Sequence, residues 1–350
     1  MSPKKILAVT LGGTEYPSSN FRLRQYYPLL EQNGYEVTEF NSKRVSIPNY
    51  PNIIGVRGLL RRVGYKNINK KYYLNKFKKQ VEQADIIWVN KLLRDTELIN
   101  IVKASGKVLV VDFDDAEWLS STYLFNKTLE IATQAIAGNN YLANYARTQY
   151  KLETEIIPTT IDVKSYPKQK KHINDDKFII GWLGSHFTNE YLLLIQKPLN
   201  EFLENTKSEF HIISSKHDFL KEHFPKNTKI INWDESTFID EVANFNIGLM
   251  PLPNEEWVKG KCSFKMLQYM AAHVPVVVSP LGMNNEILEQ TNCGFGANSA
   301  KEWSDSFYKF YENKNLQLEA GNAGRKLIEK EFDLISNFQK LKNIFDKFNV

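Results

Sequence analysis

With 350 residues, 42% of them hydrophobic and 24% charged, the chain has the length of two ordinary domains and the composition of a folded, not a disordered, protein. The net charge of +5 is mild, and two cysteines, Cys262 and Cys293, exclude a disulfide framework and point to a reducing cytoplasm. No stretch reaches the roughly 18–20 apolar residues that a spanning helix needs, and the apolar run of "MSPKKILAVTLGG" is too short for a signal-peptide core.

Read in chain order, "KILAVTL" (5–11) is a buried-strand run that ends at Gly12-Gly13. "NFRLRQYYPLLEQNG" (20–34) follows as a helix stopped by Gly34, and "YEVTEF" (35–40) is the next strand. This βαβ unit favours a parallel sheet covered by helices. The segment 57–79 carries Arg57, Arg61, Arg62, Lys66, Lys70, Lys71, Lys76, Lys78 and Lys79 with no acidic residue, interleaved with Leu59, Tyr65, Tyr72, Leu74 and Phe77. Such a pattern suits an anionic membrane surface, a nucleic acid or a solvated helix face. "ADIIWVN" (84–90), "GKVLVVDFD" (106–114), "QAIAGN" (134–139) and "TEIIP" (154–158) read as further strands. After a polar linker within 162–176, a second series begins: "KFIIGWLG" (177–184), a helix from about Thr188 to Leu203, then the strands "EFHIISS", "TKIINW", "NIGLMP" and "VPVVVSP", and a mostly helical final fifty residues. The expected class is α/β, with two parallel sheets in series and ligands outside the carboxyl ends of the strands.

Several positions carry possible chemistry, each with a plainer alternative. Gly12 and Gly13 let a backbone approach a ligand, or form only a tight turn; Ser19 and Arg22 follow in the next helix, facing a ligand or the solvent. Asp112, Asp114 and Asp115 close an apolar strand, where carboxylates cap a helix, orient an acceptor, take a proton or hold a metal. Gly184 and Ser185, then Thr188, form a strand–turn–helix junction suited to a diphosphate, and Gly282 with Glu286 repeats that arrangement. In "KGKCSFKMLQYMAAHVPVVVSP" (259–280), helical spacing puts Lys261, Lys265 and Gln268 on one edge, next to an apolar face with Phe264 and Leu267. That edge is either solvated or lines an anion site. The six histidines, His186 among them, show no metal-ligand spacing.

"IIPTTID" (156–162), "GWLGSHFTNEYL" (181–192) and the block 246–288, with "DFDDAEW" before them, resemble bacterial family-4-type glycosyltransferases of the GT-B fold, most strongly over 178–290. The resemblance implies two Rossmann-like domains facing each other across a cleft: an acceptor domain over 1–162, a linker over 163–176, a donor domain over 177–330 and a C-terminal helix over 331–350 that packs back on the first domain. It implies a UDP- or GDP-linked sugar as donor substrate and no further cofactor, no metal, retention of configuration, and a glycan or lipid-linked acceptor. Donor contacts fall on Gly184, Ser185, Thr188, Lys261, Lys265, Gln268, Gly282 and Glu286, acceptor contacts on Gly12, Gly13, Ser19 and Arg22, and catalytic roles on Asp114, Asp115 and Lys261. The chain departs from the family where a Glu-x7-Glu motif is usual: Gln268 stands at its second position and Gly260 or Lys261 near its first. The Arg and Lys common in the first donor loop are absent, with Ser185 and Asn189 there instead, and Lys261 and Lys265 are expected to supply the charge. Lipid-linked acceptors make 57–79 a candidate for peripheral contact with the inner face of the cytoplasmic membrane, with no nucleic-acid partner. A non-hydrolysing nucleotide-sugar epimerase, or a non-catalytic subunit of a glycan-assembly complex, are the alternatives within the same fold.

Overall fold

The computed structural model describes residues 3–14, 16–43, 56–170, 177–215, 218–224 and 227–348, with the backbone alone of 56–68, 187, 218 and 221. The chain divides into two compact units, residues 1–160 with 337–350, and residues 161–336.

The first unit is built on a six-stranded sheet in the order β2-β1-β3-β4-β5-β6, every pairing parallel. Its strands are β1 (Lys4–Thr10), β2 (Tyr35–Asn41), β3 (Ile86–Asn90), β4 (Val108–Phe113), β5 (Gln134–Ala137) and β6 (Thr154–Ile156). β3, β4 and β5 are buried on both faces, which is why their sequences are continuous apolar runs and do not alternate. The chain leaves β1 for β2 on one side and returns to β3 on the other, so the order reverses between β1 and β3. The helix expected over 20–34 is broken in three: Pro17–Arg22, a 3₁₀ turn Arg24–Tyr26, and Tyr27–Gln32. Pro28 provides the reason, since it lacks an amide and is tolerated only in a first helical turn. Gly34 does end it, at φ 85°.

Residues 337–346 of the Leu334–Asp346 helix belong to this first unit. Phe345 packs edge-on against Trp88 of β3, with ring centroids 5.4 Å apart. The Lys4 ammonium donates to the carbonyls of Phe345 and Phe348 at 2.9 and 2.8 Å, a cation at the negative end of a helix.

The second unit repeats the plan in the order β12-β11-β10-β7-β8-β9, again all parallel. Here β7 is Phe178–Leu183, β8 Ser208–Ser214, β9 Thr228–Asn232, β10 Ile247–Met250, β11 Val276–Val278 and β12 Gly294–Gly296. The order reverses between β7 and β10. Phe202, Phe307, Phe310 and Trp303 from the flanking helices fill its core against Ile180, Ile212 and Leu249. Two helices differ from expectation. The one placed from Thr188 to Leu203 starts at His186 as a 3₁₀ segment to Ile195 and continues as the α-helix Gln196–Asn205. The helix expected to carry Lys261, Lys265 and Gln268 together is split into Glu256–Lys259 and Phe264–Ala271. Gly260, Lys261 and Cys262 lie in the break, so Lys261 does not share a helical edge with the other two. The break is local backbone chemistry: Ser263 adopts φ 51°, a left-handed conformation that costs an L-residue about 1–2 kcal/mol.

Candidate functional site

Both reversal points lie where parallel sheets open a crevice at their carboxyl ends, and each unit fills that place with polar side chains. In the first unit, hydrogen bonds link the ends of β1, β3 and β4. The Leu11 amide donates to Ser19 Oγ at 3.2 Å, and Ser19 donates to Asn90 Oδ1 at 2.9 Å. Asn90 Nδ2 donates to Ser18 Oγ at 3.2 Å, and Ser18 donates to Asp114 Oδ1 at 2.8 Å. Beside this chain, Lys91 holds φ 65° with its ammonium 2.5 Å from Asp115, 2.8 Å from Glu117 and 3.5 Å from Asp114. Burial works against that ammonium, but Asp115, Asp114 and Glu117 outweigh it and hold its pKa well above the ordinary lysine value. Burial also raises Asp114, yet Lys91, Arg22 and the Ser18 hydroxyl together hold its carboxyl below the usual range. Asp114 is therefore a stable carboxylate and a weak proton acceptor.

Arg22 and Ser19, expected at the acceptor surface, are 2% and 0% exposed. Arg22 Nε donates to Asp112 at 2.7 Å and its Nη1 to the Ile157 carbonyl at 2.8 Å. Burial pushes Asp112 up to about 6 against the pull of Arg22. These two residues brace the crevice from below and do not line it. Gly12 and Gly13 turn their carbonyls to Arg24, at 2.6 and 2.9 Å, and the Tyr16 ring lies where a Gly12 side chain would begin. Asp114 and Asp115 are brought together on Lys91. Asn90, Lys91, Glu117 and Ser18 escaped the sequence reading, although a polar pair directly after the apolar run "IIWV" was a signal for them.

In the second unit, β7 and β10 pair only at Ile180–Ile247 and Gly181–Gly248. Beyond that the Tyr269 hydroxyl stands between them, accepting from the Leu183 amide at 2.8 Å and donating to the Leu249 carbonyl at 3.2 Å. At the mouth of this opening Gly184, Thr188 and Lys265 come together. Lys265 Nζ donates to Thr188 Oγ1 at 3.4 Å and lies 5.5 Å from the centre of the Trp182 ring. A methyl group on Gly184 would sit 2.4 Å from that ring and 2.7 Å from Lys265 Cε, so only glycine leaves the lysine its path. Thr188 donates in turn to the Ser185 carbonyl at 3.1 Å, which leaves Ser185 exposed at the N-cap position without a side-chain cap bond.

Lys265 also stands in the first turn of Phe264–Ala271, whose N-cap residue Ser263 makes no side-chain cap bond. A cation there opposes the helix dipole, an arrangement favourable only when an anion answers both. Gly282 caps Met283–Gln290 at φ 51°, ψ −131°, and Glu286 is half-buried in its first turn. A side chain at 282 would be strained by that φ and would press on the Lys259 backbone at 3.1 Å. Lys261 lies 5.6 Å from the centre of the Trp257 ring, and Gln268, 5% exposed, hydrogen-bonds the Tyr166 hydroxyl. The structure thus joins Gly184, Thr188 and Lys265 by contact, and ties Gln268 to a buried tyrosine that the sequence reading missed. Among the described residues, no group of three or more His, Cys, Asp and Glu side chains could hold a metal ion.

The basic segment 57–79 lies within a single helix, Val56–Gln83. The side chains of Arg57, Leu59, Arg61, Arg62, Tyr65 and Lys66 lie outside the described residues. Of the rest, Leu74 and Phe77 are buried, and Phe77 packs 4.7 Å from Phe40. Those two belong to the core, which corrects their reading as part of a surface pattern. Lys70 is paired with Asp95 and Glu97 at 2.9 Å each. Tyr72 is 61% exposed, flanked by exposed Lys71, Lys76, Lys78 and Lys79. Among the described residues no helix is long and apolar enough to cross a membrane.

No protein-family model and no curated protein matches the chain. Solved structures do match it along its length. HepE from Anabaena, in complex with UDP and glucose, is similar at a TM-score of 0.67 and 15% identity, covering 99% of this chain and 100% of that one. A glycosyltransferase from Rickettsia africae is similar at 0.72 and 12%, covering 99% of each chain. Sucrose-phosphate synthase from Thermosynechococcus elongatus is similar at 0.69 and 12%, covering 98% of each. The chain has the GT-B fold, with two Rossmann-like parallel-sheet units.

Proposed function

We propose that this chain is a glycosyltransferase that moves a sugar from a nucleotide-diphosphate sugar to a glycan or lipid-linked acceptor in bacterial cell-surface polysaccharide synthesis. The observation that carries the proposal is the convergence of Lys265, Thr188 and Gly184 at the point where the second sheet opens. A lysine set against the positive end of a helix, beside a backbone with no side chain, suits the two phosphates of a departing nucleoside diphosphate. HepE, similar in fold, is seen with UDP, which makes UDP the first donor nucleotide to test. Gln268 and Tyr166 are assigned to the ribose, Gly282 and Glu286 to the transferred sugar, and Lys261 to longer-range support of the diphosphate's charge without direct contact.

The reaction needs little covalent help from the protein. The bond from the anomeric carbon to the diphosphate breaks, the acceptor oxygen bonds to that carbon, and the acceptor proton passes to the departing phosphate oxygen. Lys265 and Lys261 stabilise the charge that develops on the leaving group, and positioning supplies the rest. Asp114, held as a carboxylate, and Asp115 orient the acceptor hydroxyl by accepting its hydrogen bond; Gly12 and Gly13 shape the loop beside them. The first unit's carboxylates are organised around the Lys91 ammonium, which supports a reaction without a bound metal, and retention of configuration is part of the proposal. The cytoplasm is the proposed location, with peripheral contact on the inner membrane face through Tyr72 and its lysines.

The test is a screen of UDP- and GDP-sugars by calorimetry, followed by chromatography of the products. A transferase binds one nucleoside diphosphate with Lys265 intact, releases it slowly from its sugar donor in water, and does so faster with acceptor. An epimerised nucleotide sugar with no free diphosphate would replace this reading by the epimerase.

A further inference from the structure

The loop after β3 carries two cations, Lys91 and Arg94, and the fold treats them oppositely. Lys91 gathers Asp115, Glu117 and Asp114. Arg94 follows three positions later and is half-buried, but its neighbour Asp95 is already engaged, by the Lys70 ammonium and the Glu97 amide at 2.9 Å each. Among the described residues the Arg94 guanidinium has no carboxylate and no hydrogen-bond acceptor; the group that engages its charge is the Tyr16 ring, whose centre lies 5.8 Å away. That ring is fixed in turn, since it lies 2.2 Å from where a side chain at Gly12 would begin, and only glycine makes room for it. The Lys43 ammonium lies 5.0 Å from the same ring centre, a second positive charge beside it. A ring attracts a guanidinium through its negative face but takes none of its five N–H groups. A carboxylate in the same place would hold the arginine as firmly, but would use up the donors that an incoming anion needs. The position is also apt: Ser18, two residues past Tyr16, donates to Asp114 at 2.8 Å, so this ring borders the carboxylates assigned to the acceptor hydroxyl.

We propose that Arg94 binds an oxyanion of the acceptor, a phosphate or a carboxylate group, so that the acceptor of this chain is an anion and not a neutral glycan. Either group matches the planar fork of a guanidinium, which pairs with two oxygens at once. Three carboxylates against the one ammonium of Lys91 leave the hydroxyl-orienting cluster negative, so an anionic acceptor needs a cation of its own, and Arg94 supplies it. Tyr16 is a positioning residue that acts through Arg94. The proposal rests on the reading of the chain as a transferase whose acceptor meets Asp114 and Asp115, and its test separates the two.

The experiment is calorimetry on the whole chain with UDP in excess, so that the diphosphate site of the second unit is filled. The probes are glucose 1-phosphate, farnesyl phosphate, glucuronate and uncharged glucose. The wild type binds at least one of the three anions more tightly than glucose. The preferred one tells phosphate from carboxylate, and farnesyl phosphate over glucose 1-phosphate marks a lipid source. Arg94→Gln weakens that binding roughly tenfold, and Arg94→Lys, a charge without the fork, recovers part of it. Tyr16→Leu loses less than Arg94→Gln and nothing further in its presence, a coupling that a purely structural role for the ring would not produce. If Arg94→Gln fails to fold, Arg94→Lys carries the test through its own smaller loss. UDP affinity stays at the wild-type value in every variant, so a failure of the transferase reading, seen as no UDP binding by the wild type, is distinct from a failure here. Anion affinity in folded Arg94→Gln equal to that of the wild type, or no anion preferred to glucose, overturns the proposal.

Discussion

The Leu183 amide donates to the hydroxyl of Tyr269 across the gap between β7 and β10, at 2.8 Å. The same hydroxyl donates to Leu249 at 3.2 Å, so one buried phenol replaces the ladder bonds that the parting strands give up. Burial raises the pKa of this phenol far above the ordinary tyrosine value, so it stays protonated and keeps its donor. Tyr269→Phe leaves a buried amide and a buried carbonyl unpaired and is expected to cost about 1–3 kcal/mol of stability. Thermal unfolding measures the loss, and calorimetry with UDP shows whether the opening also depends on it. A Phe variant as stable as wild type would mean that the strands close without the phenol.

A second prediction concerns the pair beneath the first unit's crevice. Arg22→Ala leaves the Asp112 carboxylate buried without its guanidinium, at an expected cost of about 3–5 kcal/mol. The pH dependence follows from Asp112 itself, whose pKa rises from 3.8 to about 6 on folding. Between those values the folded chain holds a proton that the unfolded chain has released. Its contribution is therefore complete below the unfolded value and lost as pH rises through the folded one. Asp112→Asn should then cost less at pH 7.5 than at pH 4.5, by ~1–3 kcal/mol. Denaturant unfolding at the two pH values decides it: a penalty that grew with pH would show that Arg22 outweighs burial.

The sequence made the two sheets legible because parallel strands buried on both faces leave continuous apolar runs, as in "IIWVN" and "VVV". It also located the turns at Gly184 and Gly282, since both positions tolerate no side chain. What it could not show was the break at Gly260–Cys262, because the left-handed Ser263 carries no compositional mark. Arg22 and Ser19 were misjudged for a related reason. Their spacing is that of a surface helix, and only the tertiary approach of Asp112, 90 positions away, and Asn90, 71 positions away, turns them inward. Trp182 and Tyr269 were hidden among ordinary core aromatics, although one lies 5.5 Å from the Lys265 ammonium and the other parts two strands.

The split helix separates the two lysines that the sequence joined. Lys265 belongs to the cluster with Gly184 and Thr188, whereas Lys261 rests near Trp257 in the break. UDP affinity should therefore fall roughly tenfold in Lys265→Ala and no more than about threefold in Lys261→Ala, since a point charge farther from its anion is better screened by water. Calorimetry of both variants at two salt concentrations checks the order. Equal losses would place Lys261 in direct contact with the diphosphate.

The Val56–Gln83 helix gives the last prediction, because its described lysines are not equivalent. Lys70 already faces Asp95 and Glu97, and Glu97 most of all raises its pKa, so its charge is answered within the chain. Lys71, Lys76 and Lys79 are exposed, next to Tyr72 in sequence or one and two helical turns along its face, and the Tyr72 ring can sit at the level of lipid headgroups. Each basic residue near an anionic surface contributes about 1 kcal/mol, so replacing these three by Gln should reduce pelleting with anionic vesicles by roughly two orders of magnitude or more. Lys70→Gln should change it by less than about threefold, since that ammonium is already neutralised. Vesicle sedimentation at low and high salt separates the charge from the ring: Tyr72→Ser weakens binding at both, the lysine replacements mainly at low salt. Equal effects of Lys70 and Lys71 would mean that the Asp95 and Glu97 pairing gives way at the membrane.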